Sequence, residues 1–160
     1  MALGASYIDK NDAIENITNN AISNSATKLI PENSLLFGIR VGIGKCSINR
    51  VPMCTNQDIV GIMNLQENGF NPLYIKKVLE SYSLYFNEQK RGATIQGITT
   101  ELLKESRIPQ APLDLQNQFA DFVKQADKSK FVAQRATKTI SSKSMIGLTK
   151  YTRGGNDYVL

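Results

Sequence analysis

The chain of 160 residues has room for one ordinary domain, or one domain with a long appended element, and its 41% hydrophobic and 21% charged content excludes wholesale disorder or a fibre. It contains no histidine, which removes Ser/His/Asp and Cys/His nucleophilic arrangements, imidazole-ligated metals and the usual side chain that titrates near neutrality. The net charge of +5 is uneven: residues 1–70 carry five Lys/Arg against six Asp/Glu, and residues 71–160 carry fourteen against eight. A basic half suits a polyanion partner through counterion release, and it also suits a merely solvated basic surface; charge alone leaves both open.

The first thirty residues are loop-rich, with a strand-like segment at residues 5–8 and room for one short helix in the Asn-rich stretch 11–24. Residues 34–41 (SLLFGIRV) have strand composition, Gly42-Ile43-Gly44 supplies a turn, and residues 45–51 (KCSINRV) return with Cys46 and Ile48 alternating against polar neighbours. This predicts a β-hairpin, followed by a further short strand at residues 58–63 (DIVGIM) before the Asn68-Gly69 turn. Asn71-Pro72 then opens a helix, since asparagine caps free amides and proline at the first helical position gives up no needed donor. The apolar series Ile75, Val78, Leu79, Tyr82, Tyr85 and Phe86 carries that helix to about Asn87. Residues 87–97 (NEQKRGATIQG) form a basic, glycine-interrupted loop, and residues 98–108 regain apolar character as a returning strand.

Beyond Pro112, Leu115, Phe119, Phe122, Ala126, Ser129, Ala133, Thr137 and Ile140 recur at intervals of three and four, which predicts one long helix of roughly 25 residues. Lys124, Lys128, Lys130, Arg135 and Lys138 occupy its other face. A stripe this narrow suits a partner helix, with folding back over the domain as the alternative. Residues 141–160 have no clear period and are expected to form a mobile basic tail.

Cys46 and Cys54 are too few for a zinc cage and lack CxxC spacing, so no metal site is expected. Asp9, Lys10 and Asp12 interrupt any leader-like apolar stretch, and no run approaches the roughly 18 apolar residues of a membrane span, so a soluble cytoplasmic protein is expected. The segment from Gly38 to Cys46 fails as a phosphate-binding loop: five residues separate Gly38 from Gly44-Lys45 where four are needed, and Cys46 stands in place of Ser or Thr. It fails as a dinucleotide motif because Ser47 replaces the third glycine. What remains is a glycine turn flanked by Arg40 and Lys45, whose amides can approach an anion or simply close the turn. Residues 90–96 (KRGATIQ) carry the same double meaning, as base- and phosphate-contacting side chains or as an ordinary solvated loop.

Taken in order, these features resemble a known family. The run Lys28-Leu-Ile-Pro31-Glu-Asn-Ser-Leu35-Leu-Phe-Gly38, then Arg40 and Ile43-Gly44-Lys45, Asn56-Gln57, a Tyr-rich helix, Gly92-x-Thr94 with Ile98, and Ile108-Pro109-x-x-Pro112-Leu-x-Leu115-Gln116 opening a long helix are similar to the specificity subunit of type I restriction-modification systems. The resemblance covers about residues 18–135 and implies an α+β fold: a mixed β-sheet target-recognition domain followed by a long helix that packs as an antiparallel helix pair. The expected division is 1–112 recognition domain, 113–140 spacer and dimerisation helix, and 141–160 tail. Members carry two such modules in one chain, each reading half of a split double-stranded DNA target, while methylation and cleavage belong to separate modification and restriction subunits. Here one module is present, and it begins without the additional opening strands usual in the family, as a truncated or split gene product or a half subunit that must dimerise would.

The resemblance implies no cofactor and no catalytic residue in this subunit, which accommodates the absence of histidine. The expected DNA contacts are Arg40, Lys45, Asn49 and Arg50 around the hairpin and Arg91, Thr94 and Gln96 in the second loop, with Lys45 and Thr94 on phosphates and Arg91 and Gln96 at base edges. Leu115, Phe119, Phe122, Ala126 and Ala133 are the expected seam against another helix, either from a second copy or from a second specificity half. Two alternatives come from other classes: a non-reading adaptor that modulates assembly through its helix, and a small enzyme that binds a phosphorylated ligand at the glycine hairpin.

Overall fold

A computed structural model describes residues 3–13, 15–91 and 96–152, with side chains as far as residue 139. It divides into two compact units, residues 1–120 and 121–160.

The first unit is built on a four-stranded mixed sheet. Its strands are β1 (Tyr7–Ile8), β2 (Leu35–Gly38), β3 (Cys46–Asn49) and β4 (Ile59–Ile62), in the spatial order β1-β3-β2-β4. The predicted hairpin is present: β2 and β3 pair antiparallel with Leu35 opposite Ile48 and Phe37 opposite Cys46. On the other side of β2, β4 pairs antiparallel with Leu35 opposite Ile62, and β1 joins β3 in parallel through Tyr7 and Ile8. Asn71 caps α2 (Pro72–Ser81) as its sequence predicts, accepting from the Leu73 and Tyr74 amides at 2.9 and 3.3 Å. The remaining helices of this unit are α1 (Asn19–Ser23), α3 (Ser83–Glu88), α4 (Thr100–Lys104) and the start of α5 (Leu113–Thr152).

The returning strand differs from the expected alternation. Every residue of β2 and β3 is buried, Ser47 and Asn49 included, because both faces of the central pair are covered. On one face Leu36 joins Ile8 and Ile30, with Leu3, Met53 and Ile59 against them. On the other, α2 lies along β3 and the Phe86 ring meets Phe37 edge-on at 5.3 Å. The two buried polar residues are satisfied by backbone. Ser47 Oγ accepts the Gly4 amide at 3.0 Å, and Asn49 is hydrogen-bonded through both ends of its amide.

Three further expectations are corrected. The helix expected to run unbroken to Asn87 is interrupted at Tyr82, whose amide donates to the Leu79 carbonyl at 3.2 Å in a tighter turn, while Ser81 Oγ donates to the Val78 carbonyl at 2.7 Å. Within residues 98–108 the regular element is α4 (Thr100–Lys104) rather than a strand. Thr99 Oγ1 accepts the Leu102 amide at 3.3 Å and caps a helical turn that buries Leu103, so the local cap overrides the apolar composition. The long helix does not stop near residue 140; its backbone is helical to Thr152, so residues 141–152 continue it instead of forming a tail.

Segments distant in sequence are tied to α2 by side chains. Tyr74 Oη donates to the Pro109 carbonyl at 2.8 Å and Tyr82 Oη to the Arg107 carbonyl at 2.9 Å. Gln116, on the first turns of α5 and fully buried, accepts the Asn71 amide at 2.9 Å and donates to the Ala111 and Gly69 carbonyls at 2.8 and 3.2 Å. One amide thus closes the turn before α2 and the turn before α5 together, leaving no donor or acceptor of its own unused.

Beneath β3, Lys76 is buried and ion-paired with Glu80, which Lys77 also approaches at 3.3 Å. Burial pushes the nearby Cys46 thiol up to about 12, the Glu80 carboxylate raising it further and Lys76 opposing. The thiolate is the reactive form, so a maleimide near neutral pH is expected to modify the half-buried Cys54 and spare Cys46 until denaturant is added, as peptide mass mapping would record. The unfolded thiol ionises near its ordinary 9.0 and the folded one only near 12, so this group withdraws stability as pH rises between those values.

The second unit carries the rest of α5. On it Lys124 pairs with Asp121 at 2.9 Å, and the Arg135 guanidinium lies over the Phe131 ring at 5.6 Å. No helix among the described residues is long and apolar enough to cross a membrane.

Candidate nucleic-acid interface

The connection between β2 and β3 is a closed glycine turn. Gly42 and Gly44 have positive φ values of 63° and 78°, a region costly for side-chain-bearing residues. The Lys45 amide donates to the Gly42 carbonyl at 2.8 Å and the Gly44 amide to the Gly38 carbonyl at 3.2 Å. These amides are therefore consumed within the turn and do not form an anion cradle. Gly44 also has a packing reason: a Cβ there would lie 2.9 Å from the Ser83 Cα at the start of α3. The turn leaves Arg40 and Lys45 exposed at its margins while Ile39 and Ile43 anchor it inward.

The second loop is pinned at its base by a reciprocal pair of backbone hydrogen bonds between Arg91 and Gly97, at 2.9 and 3.0 Å. Arg91 and Gln96 are exposed beside this bridge. Thr94 lies outside the described residues. The base of the loop is seated directly on the hairpin connection: the Ile98 amide donates to the Ile39 carbonyl at 2.9 Å, and a Cβ on Gly97 would lie 2.8 Å from Arg40 Cγ. The two loops singled out separately in the sequence thus share a border at Arg40. Beside it stands Asp58, whose carboxylate is 3.7 Å from the Arg40 guanidinium, an acidic neighbour that no local pattern around Arg40 announces.

Two expected contacts lie elsewhere. Asn49 is fully buried; its Oδ1 accepts the Ser34 amide at 2.9 Å, and its Nδ2 donates to the Pro31 and Val51 carbonyls at 2.7 and 3.0 Å. Its amide is committed to the fold and reaches no surface, which removes it from the set of DNA contacts. Arg50 is exposed, but it follows the far end of β3 from Lys45, about 16 Å away for five extended residues. Its guanidinium lies over the Tyr7 ring at 4.4 Å and 3.5 Å from Asp9, which joins it to β1 and not to the loop junction. Arg40 is thereby placed beside the base of the loop that carries Arg91 and Gln96, Lys45 lies at the other end of the turn against Gly42, and Arg50 is separate.

On α5, the buried positions of the first unit are Gln116 and Ala120. The expected seam lies one position around the helix from them. Leu115 and Phe119 are 54% and 41% exposed, Phe122 is 67% exposed, and Ala126 and Ala133 are also open. Phe119 is partly engaged within its own unit, edge-on to Tyr74 at 5.9 Å. Exposed Phe131 and Val132 extend the apolar surface beyond what the periodic series includes. Among the described residues no group of His, Cys, Asp and Glu side chains has a metal-binding arrangement.

Residues 3–152 match a family model described as type I restriction modification DNA specificity domain. A solved chain described under complex assembly and conformational transition of the type I R-M system shares the fold, with a TM-score of 0.60 at 13% identity. The similarity covers 89% of the present chain and 35% of that one, so this chain spans about a third of its structural neighbour.

Proposed function

Since the chain belongs to the type I restriction-modification DNA specificity family, we propose that it reads one half of a bipartite double-stranded DNA target and directs modification and restriction subunits to it. The observation that carries this reading is the convergence of Arg40, Arg91 and Gln96 where two loops meet on a rigid sheet. Guanidinium and carboxamide groups can make bidentate contacts to base edges, and Lys45 beside them suits a phosphate that sets register. In this reading the subunit performs no chemistry. Its exposed seam of Leu115, Phe119, Phe122, Ala126 and Ala133 pairs α5 with a helix from a second copy or a second specificity half.

The deciding experiment is selection from a randomised duplex pool by the full chain together with its modification subunit. A defined half-sequence is expected to be enriched, with affinity that falls steeply as salt rises. Arg91→Ala and Gln96→Ala are each expected to relax the preference at particular base pairs, by about 1–3 kcal/mol per lost bidentate contact. No enrichment, with binding indifferent to salt, would overturn the reading. The exposed seam favours a second reading, an adaptor that engages a partner helix without reading DNA; co-purification with the modification subunit and no contribution to DNA affinity would identify it.

A further inference from the structure

Three segments distant in sequence meet at Arg40. From the turn before β4, the Asp58 carbonyl accepts the Ile39 amide at 2.9 Å and the Arg40 amide at 3.4 Å, while the Asp58 carboxylate faces the guanidinium at 3.7 Å. That carboxylate is itself oriented: Asn56 Nδ2 donates to it at 3.4 Å, and the Asp58 amide donates to Asn56 Oδ1 at 3.1 Å. From the second loop, Gly97 presses on the Arg40 stem. A Cβ there would lie 2.8 Å from Arg40 Cγ and 3.0 Å from the Ile39 carbonyl oxygen. Gly97 has no positive φ, so space and not backbone conformation is what its glycine provides. The ion pair is open to water, at 42% and 23% side-chain exposure, and an exposed pair of this kind contributes little to stability. Its consequence is directional.

We propose that Asp58 and Gly97 are positioning residues of the reading surface: Asp58 aims the Arg40 guanidinium and Gly97 seats the second loop against the Arg40 stem, so that Arg40, Arg91 and Gln96 contact duplex DNA as one unit. This inference rests on the DNA-reading function proposed above. An acidic side chain at such a border also opposes binding to phosphate in general. It trades non-specific affinity for direction, which a specificity element needs and a merely basic surface does not.

The test uses the full chain with its modification subunit, the duplex that the native chain selects from a random pool, and a scrambled duplex of the same composition. Asp58→Asn is expected to hold or raise affinity for the scrambled duplex while the preference for the selected one falls by about tenfold, the scale of one lost base contact. A purely structural role would weaken both affinities together and lower the melting temperature. Gly97→Ala, which displaces the Arg40 side chain, is expected to cost about tenfold on the selected duplex, and to add less than that full amount to the loss already caused by Arg40→Ala. Undiminished preference in Asp58→Asn, or additive losses for Gly97→Ala and Arg40→Ala, would overturn the proposal. If Gly97→Ala fails to fold, Asp58→Asn decides alone. A native chain that selects no sequence defeats the DNA-reading function and this inference with it, whereas native selection with unaltered discrimination in both variants defeats only the positioning roles.

Discussion

Replacing Asn49 with alanine is expected to destabilise the first unit by about 4 kcal/mol, since one buried and two partly buried backbone groups lose their partner at roughly 1–3 kcal/mol each. The groups are the Ser34 amide and the Pro31 and Val51 carbonyls. Water cannot replace the side chain easily, because Asn49 has no exposed surface. A loss of this size lowers the melting temperature of a domain near this length by roughly 10–20 °C, which thermal and urea denaturation of the full chain would show. Asn49→Asp separates hydrogen bonding from packing. It preserves shape and the acceptor for Ser34, but turns a carboxylate oxygen toward the Pro31 and Val51 carbonyls. It is expected to be at least as damaging at neutral pH, and to recover partly on acidification as the carboxyl regains a proton to donate. A loss below about 1 kcal/mol for Asn49→Ala would show that these bonds are dispensable.

The second large effect is expected on association. Phe122 is 67% exposed on α5, whereas Phe119 meets the Tyr74 ring edge-on. Burying one phenylalanine contributes about 1.5–3 kcal/mol, and a symmetric helix pair buries the residue twice, so Phe122→Asp is expected to weaken self-association by about two to four orders of magnitude. Sedimentation equilibrium over a range of concentrations measures this directly, and the melting temperature of the first unit should change little. Phe119→Asp should weaken association and also destabilise the unit, because it removes the edge-on contact with Tyr74. A native chain that stays monomeric at tens of micromolar, unaffected by either substitution, would argue against pairing through this face.

The elements carried by strong local signals were legible before any tertiary contact was known. The hairpin follows from an apolar run, a glycine turn and a second apolar run, and the start of α2 follows from Asn71-Pro72. The long helix follows from its three-and-four spacing. The misassigned elements are those in which a local pattern competes with another. Residues 98–108 are apolar enough for a strand, yet Thr99 supplies a cap and, among the described residues, the sheet includes none of them, so a short helix forms at Thr100–Lys104. Ser81 and Tyr82 fit the helical stripe, but the Tyr82 amide bonds to the Leu79 carbonyl, three residues back, and the helix is interrupted there.

The candidate site divides along the same line. Side-chain chemistry identifies which residues suit DNA, and Arg40, Arg91 and Gln96 stay candidates for that proposed role because they are exposed where two loops meet. Asn49 has the same chemistry and a different fate. An amide competent to read a base edge is equally competent to satisfy three backbone groups inside the fold, and its own sequence neighbours do not distinguish the two uses. Gln116 is a parallel case: it closes the motif that opens α5, and the structure shows its amide bonded to Gly69, Asn71 and Ala111.

The sequence by itself determined the absence of imidazole chemistry and the basic second half through its composition, and pointed to the family and its fold class through a resemblance spread over short ordered motifs, none of which needs knowledge of distant contacts. Only the tertiary structure decided which polar residues face solvent, that the two loops share a border at Arg40, and that Asp58 and Gly97 shape it. Those outcomes depend on pairings between residues tens of positions apart, where burial and backbone satisfaction, not residue type, assign each side chain its work.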